Sequence, residues 1–241
     1  MSNVIKTYFS DTKNILYSFL FSLPIFLAYE ILILISQPDP THAVRVSVDV
    51  WFKNIFSIFG VNTVSISLLV VLLIGFVILY RERNKLRTLR FKFFPLMAVE
   101  SLIYAIVVAI ISSSLVTLLL NVSASQPIYQ LSGIQKFALS LGAGLYEELF
   151  FRVILVTVLI YVFNKVFNNV KWASVSAAVV LSALLFSAIH YVGAMGDPFT
   201  LSSFLYRFIF GLILNGIYVS RGFGIAAWTH ALYDLIVLFV L

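Results

Sequence analysis

The chain has 241 residues, of which 61% are hydrophobic and only 11% charged, and its mean hydropathy is +1.05. A soluble domain carries about 25% charged residues, so this composition excludes a soluble enzyme, a disordered chain and a coiled coil, and leaves a polytopic membrane protein. The formal charge of +6 reports topology rather than a nucleic-acid partner, and the lack of cysteine excludes disulfides, thiolate metal sites and a Cys nucleophile.

In chain order, the first apolar run, Asn14 to Ser36, is too long for a signal-peptide core and has no small-residue cleavage site after it, so it reads as a retained helix. The second covers Val61 to Tyr80, starting as early as Trp51. A basic run follows at 81–92, with six positive charges. Further runs are Phe93 to Leu120, Ile134 to Phe163, Trp172 to Tyr191, Phe204 to Val219 and Ile225 to Leu241. The expected fold is an all-α transmembrane bundle of about seven spans (six to eight) in a single domain, residues 1–241. No internal repeat, low-complexity segment or soluble domain interrupts it. His42, in the loop from Gln37 to Val50, reads as a solvated surface residue.

With the basic run on the cytoplasmic side, Lys6, Lys13, Lys165, Lys171 and Arg221 fall there too, against Arg45 and Lys53 opposite. That asymmetry predicts a cytoplasmic N-terminus, and the compactness of the chain suggests a prokaryotic inner or plasma membrane.

Charges at bilayer depth are costly and call for a partner or a function. Glu30, Glu100, Glu147, Glu148 and Asp234 all lie within predicted spans, as do His190 and His230. Glu148 and Arg152 are four apart, share a helical face and can pair. Glu147 points about 100° away and has no partner in its own helix, which suits a general base. Gly142, Ala143 and Gly144, one turn earlier, let a neighbouring helix or a substrate backbone approach. Phe186 stands one turn before His190 on one face. His230 and Asp234 are again four apart, so the acid can orient the imidazole or share a cavity with it. Any one of these elements could be an interhelical lock. Together they form a catalytic or metal-binding set.

Glu147-Glu148-x-x-x-Arg152, Phe186-x-x-x-His190 and His230-x-x-x-Asp234, in that order in a polytopic chain, resemble the CAAX-protease and bacteriocin-processing family (CPBP, also called Abi). These are intramembrane endopeptidases, and the family core here is about 134–241. The resemblance implies a glutamate-dependent hydrolysis of a peptide bond. Glu147 would activate water, His190 would help hold it, His230 would stabilise the oxyanion, and Asp234 would assist His230. Glu148 with Arg152 would be structural, supported by Phe186. An ionised Asp234 cannot donate to an oxyanion, so it serves His230 or is itself protonated. The competing chemistry is Zn²⁺ on Glu147, His190 and His230. The lack of a His-Glu-x-x-His helix favours a metal-free site with no cofactor. The implied substrate is a peptide or a lipid-linked, membrane-anchored protein cut near one end. In eukaryotes these are prenylated tails, and in bacteria leader peptides, pheromone precursors or sorting tails.

Straight helices do not bring the two histidines together: His190 would lie about 27 Å along its helix and His230 about 8–9 Å along its own. A short sixth span favours a buried turn at Arg221-Gly222-Phe223-Gly224, and with it a water-filled cavity open to the cytoplasmic side. Arg207 is expected to pair with Glu30 or Glu100 in a helix-locking network, or else to bind the substrate carboxyl terminus. Two rival functions remain: a non-catalytic scaffold or immunity protein of the same family, and a proton-coupled transporter. The oligomeric state is not encoded in these patterns.

Overall fold

The computed structural model describes residues 2–36, 45–57, 63–119, 131–193 and 196–239. His42 and its neighbours lie outside these. Helix is the only regular structure among the described residues. The order is α1 (Ser2–Thr12), α2 (Ile15–Ser36), α3 (Ser47–Ser57), α4 (Thr63–Arg81), α5 (Arg83–Leu86), α6 (Phe93–Leu119) and α7 (Gly133–Gly142). Two π-helical segments, Ala143–Glu147 and Leu149–Val156, then lead into α8 (Thr157–Val166), α9 (Lys171–Ile189), α10 (Leu201–Arg221) and α11 (Phe223–Phe239).

Five helices are long and apolar enough to cross a membrane: Ile15–Ser36, Phe93–Ser114, Gly133–Val166, Lys171–Ile189 and Leu201–Arg221. Ser67–Arg81 and Phe223–Phe239 are shorter apolar helices, and these seven segments coincide with the seven apolar runs. The protein is an integral, multi-pass membrane protein. The run that reached back towards Trp51 takes in α4 and part of α3. Pro24 sits inside α2. Pro95 falls in the first turn of α6, where its missing N–H costs no helical hydrogen bond.

α11 is the central post. It packs on α6, α2, α10, α7 and the first π-helical segment, and Ile225, Ala226, Ala227 and Ala231 along it are fully buried. The contact with the π-helical segment is close because Gly144 has no side chain. A Cβ there would lie 2.6 Å from the Ala227 carbonyl oxygen and 2.7 Å from the Ala231 amide.

The connection from α10 to α11 is buried rather than exposed. Gly222 adopts φ +88°, a conformation that disfavours any residue with a Cβ. Gly224 faces Ser18 of α2 closely enough that a Cβ would stand 2.9 Å from the Ser18 Cα. Arg221, 4% exposed, donates from Nε and Nη2 to Glu100 at 2.5 and 2.9 Å, and from its Nη groups to the Phe9 carbonyl and Thr12 hydroxyl. Glu100 is seven residues into α6, about 10 Å along it. The turn therefore starts α11 about 10 Å deeper than α6 starts. This depth reconciles the two histidines that straight, level helices kept apart.

Candidate active site

The two adjacent glutamates arise from the π-helical part of the 133–166 rod. Wide π-helical turns occur where a helix must re-aim its side chains, and they concentrate at functional sites. The wider turn is held from outside: the Ser182 hydroxyl of α9 donates to the Phe151 carbonyl at 2.9 Å.

Glu148 and Arg152 are both fully buried, with Arg152 Nη1 2.9 Å from Glu148 Oε1. The pair expected from the spacing is present. Its geometry is an ion contact rather than a hydrogen bond, because neither the three guanidinium nitrogens nor Glu148 Oε2 has a hydrogen-bond partner. The guanidinium lies over the Phe186 ring, 4.6 Å from its centroid, which accounts for the place of Phe186 in the motif.

Glu148 also serves His230. Its Oε1 accepts from His230 Nδ1 at 2.7 Å, whereas Asp234 Oδ2 stands 3.7 Å from Nε2, beyond hydrogen-bond reach. The sequence spacing pointed to Asp234 as the residue that orients the imidazole, but the direct hydrogen bond comes from Glu148. His230 is 3% exposed and is wedged between aromatic rings, 5.1 Å from Phe210 and 6.4 Å from Phe186 by centroids.

His190 sits just past the end of α9. Its Nδ1 is 2.8 Å from the Phe186 carbonyl oxygen. A carbonyl can only accept, so Nδ1 carries a proton and Nε2 is the nitrogen left for another partner. The ring stacks edge-on against Phe186 at 4.9 Å. Phe186 thus contacts His190, His230 and Arg152 at once. Glu147 is half-buried and makes no hydrogen bond or ion pair among the described residues. It is near enough to Arg152, His230 and Asp234 for its charge to act on each.

Two partners differ from expectation. Arg207 pairs with Asp197 and donates to the Tyr191 hydroxyl at 2.8 Å, rather than meeting Glu30 or Glu100. Glu100 takes Arg221 instead, and Glu30 takes Lys53 at 3.0 Å and Arg45 at 3.4 Å. The reason is position along the helices: Asp197 lies in the segment leading into α10, a short reach from Arg207, while Glu100 lies level with the far end of α10.

Sequence reasoning also missed a cluster next to the site. Tyr146, immediately before Glu147, donates to Glu30 Oε1 at 3.0 Å. Tyr29 donates to Asp49 at 2.7 Å, and Lys53 bridges Glu30 and Asp49. Glu30, Asp49 and Lys53 are buried. The i,i+4 spacing of Arg45, Asp49 and Lys53 was the available signal. Placing Arg45 and Lys53 outside the spans hid it.

Among the described residues no three His, Asp or Glu side chains converge as a metal site. A pocket of about 370 Å³ lined by Phe137, Leu232, Leu235, Ile236 and Phe239 opens between α7 and α11. Its lining is apolar.

Residues 129–236 match the family described as type II CAAX prenyl endopeptidase, Rce1-like. The matched segment contains all three motifs, so the CPBP resemblance is borne out over it. No curated protein and no solved structure matches the chain. The match supports a CAAX protease-type enzyme.

Proposed function

We propose that the protein is an intramembrane endopeptidase that hydrolyses a peptide bond near the end of a peptide or membrane-anchored protein, with Glu147 as general base. The observation that carries this reading is the contrast between the neighbouring glutamates. Glu148 is committed to Arg152 and His230. Glu147, one residue earlier and half-buried, has a carboxylate held by no hydrogen bond among the described residues. The family match supports the reaction class.

Glu147 takes a proton from water, and the hydroxide attacks the scissile carbonyl. Nε2 of His190 accepts a hydrogen bond from that water. The carbonyl oxygen becomes an oxyanion beside His230. Glu148 holds Nδ1–H and Asp234 faces Nε2, so a doubly protonated ring has an anion on each side. Its Nε2–H is then the donor that the oxyanion needs. Collapse breaks the C–N bond, and Glu147 returns its proton to the leaving amine.

The test is a comparison of the membrane peptidome in cells carrying wild type and Glu147→Gln, which keeps size and removes the base. A substrate accumulating uncleaved supports the reading and identifies the cut. An unchanged peptidome with an intact phenotype sinks it in favour of the scaffold.

A further inference from the structure

We infer that the site opens towards the non-cytoplasmic half of the membrane, and that the substrate is a membrane-anchored protein or peptide whose scissile end lies on that face. The statement about substrate rests on the protease reading, whereas the sidedness does not.

The described Lys and Arg residues are sorted between the two ends of the bundle. The exposed ones are Lys6 and Lys13, the six of the 81–92 run, Lys165 and Lys171. All ten lie at one end, where α1, the α4–α6 connection and the α8–α9 connection meet. Tyr8 of α1 donates to Glu100 of α6. The Arg90 amide donates to the Tyr17 hydroxyl at the start of α2.

At the other end no described Lys or Arg is exposed. Lys53 and Arg45 are neutralised by Glu30 and Asp49. Arg207 is paired with Asp197, and Lys136 is only half-exposed. Positive charge flanking spans in short loops sets orientation, and the charged end faces the cytoplasm.

The site belongs to the other end. His190 follows the last residue of α9, about 28 Å from Lys171. The Asp197 amide, in the segment after α9, donates to the His190 carbonyl at 2.9 Å. Tyr233, next to Asp234, hydrogen-bonds Tyr206 in the second turn of α10. The buried Arg221–Gly224 turn does not open the basic end, because Arg221, Glu100 and Thr12 close over it. The apolar pocket is also at the site's end, since Phe137 is in the second turn of α7 and Phe239 is at the end of α11. A cytoplasmic opening, expected when only the depth of the turn was considered, gives way to an opening on the opposite face.

The chain has no cysteine, so single-cysteine variants report sidedness without background. Val192 and Phe199, 66% and 64% exposed, mark the site's end, and Lys85 and Trp172 mark the basic end. Each of the four is changed to Cys in the full chain and labelled in intact spheroplasts with a membrane-impermeant maleimide. Total thiol is measured after denaturation.

Val192→Cys and Phe199→Cys are expected to label without permeabilisation, and Lys85→Cys and Trp172→Cys only after it. The reverse pattern, labelling of both ends, or protection of both ends in intact spheroplasts overturns the inference. A variant that fails to reach the membrane is replaced by the other marker of its end. In the peptidome comparison, the peptides that differ should come from non-cytoplasmic segments. Cytoplasmic peptides would overturn the substrate assignment, whereas no difference would sink the protease reading and leave the labelling to decide sidedness alone.

Discussion

Two buried ionic clusters flank Tyr146, and they are assembled on opposite terms. On one side Glu30 and Asp49 meet Arg45 and Lys53, two acids against two bases, and Tyr29 and Tyr146 add their hydroxyls. On the other side Glu147, Glu148 and Asp234 share one arginine and one histidine. There Arg152 and Glu148 Oε2 have no hydrogen bonds, and Glu147 has no direct partner among the described residues. A cluster that completes its pairs locks helices, because opening it would strand buried charge. A cluster that leaves capacity over can bind a reacting group whose charge changes. Tyr146 joins the two, so the lock also fixes the backbone that carries Glu147.

The sharpest way to break this comparison is at Glu147. Glu147→Gln is expected to lower kcat by about 10²–10⁴-fold, the usual worth of a positioned general base, while the melting temperature in detergent stays at the wild-type value. A variant that cleaves normally would erase the distinction between the clusters.

The lock should respond in the opposite sense. Lys53→Met leaves Arg45 as the single base against Glu30 and Asp49 and is expected to cost about 3–5 kcal/mol, read as a loss of melting temperature. Lys53→Arg should recover much of it. If Lys53→Met melts like wild type, the four-charge cluster is not a lock.

Gly144→Ala tests whether the close approach of the π-helical segment to α11 keeps Glu148 on His230. Its Cβ would fall 2.6 Å from the Ala227 carbonyl oxygen, so about 1–3 kcal/mol of overpacking is expected, together with a larger fall in kcat than in KM affinity. A KM effect alone would assign Gly144 to substrate passage.

The smallest effect is at the entry to α10. Thr200 accepts from the Ser203 amide at 3.2 Å as an N-cap. Thr200→Ala should cost about 1 kcal/mol and leave cleavage unchanged. Lost cleavage at full stability would give the 196–200 segment a part in the site.

The sequence by itself determined where the helices lie and which residues were too costly to be incidental. Twenty-residue apolar runs record their own length, and an ionisable group in such a run stands out against its neighbours, so the seven runs and the Glu148–Arg152 pair were legible locally. The ordered motifs across 147–234 likewise pointed to the family that matches 129–236.

Which partner each charge takes was decided only by the tertiary structure. Glu148 rather than Asp234 holds Nδ1 of His230, Arg221 rather than Arg207 meets Glu100, and Lys53 is buried rather than in a loop. The physical reason is depth. Spacing within a helix fixes which side chains share a face, but not how far one helix is sunk beside another. The buried turn at Gly222 and the close seat at Gly144 set those offsets, and they determine which acid, base and ring meet at the same level.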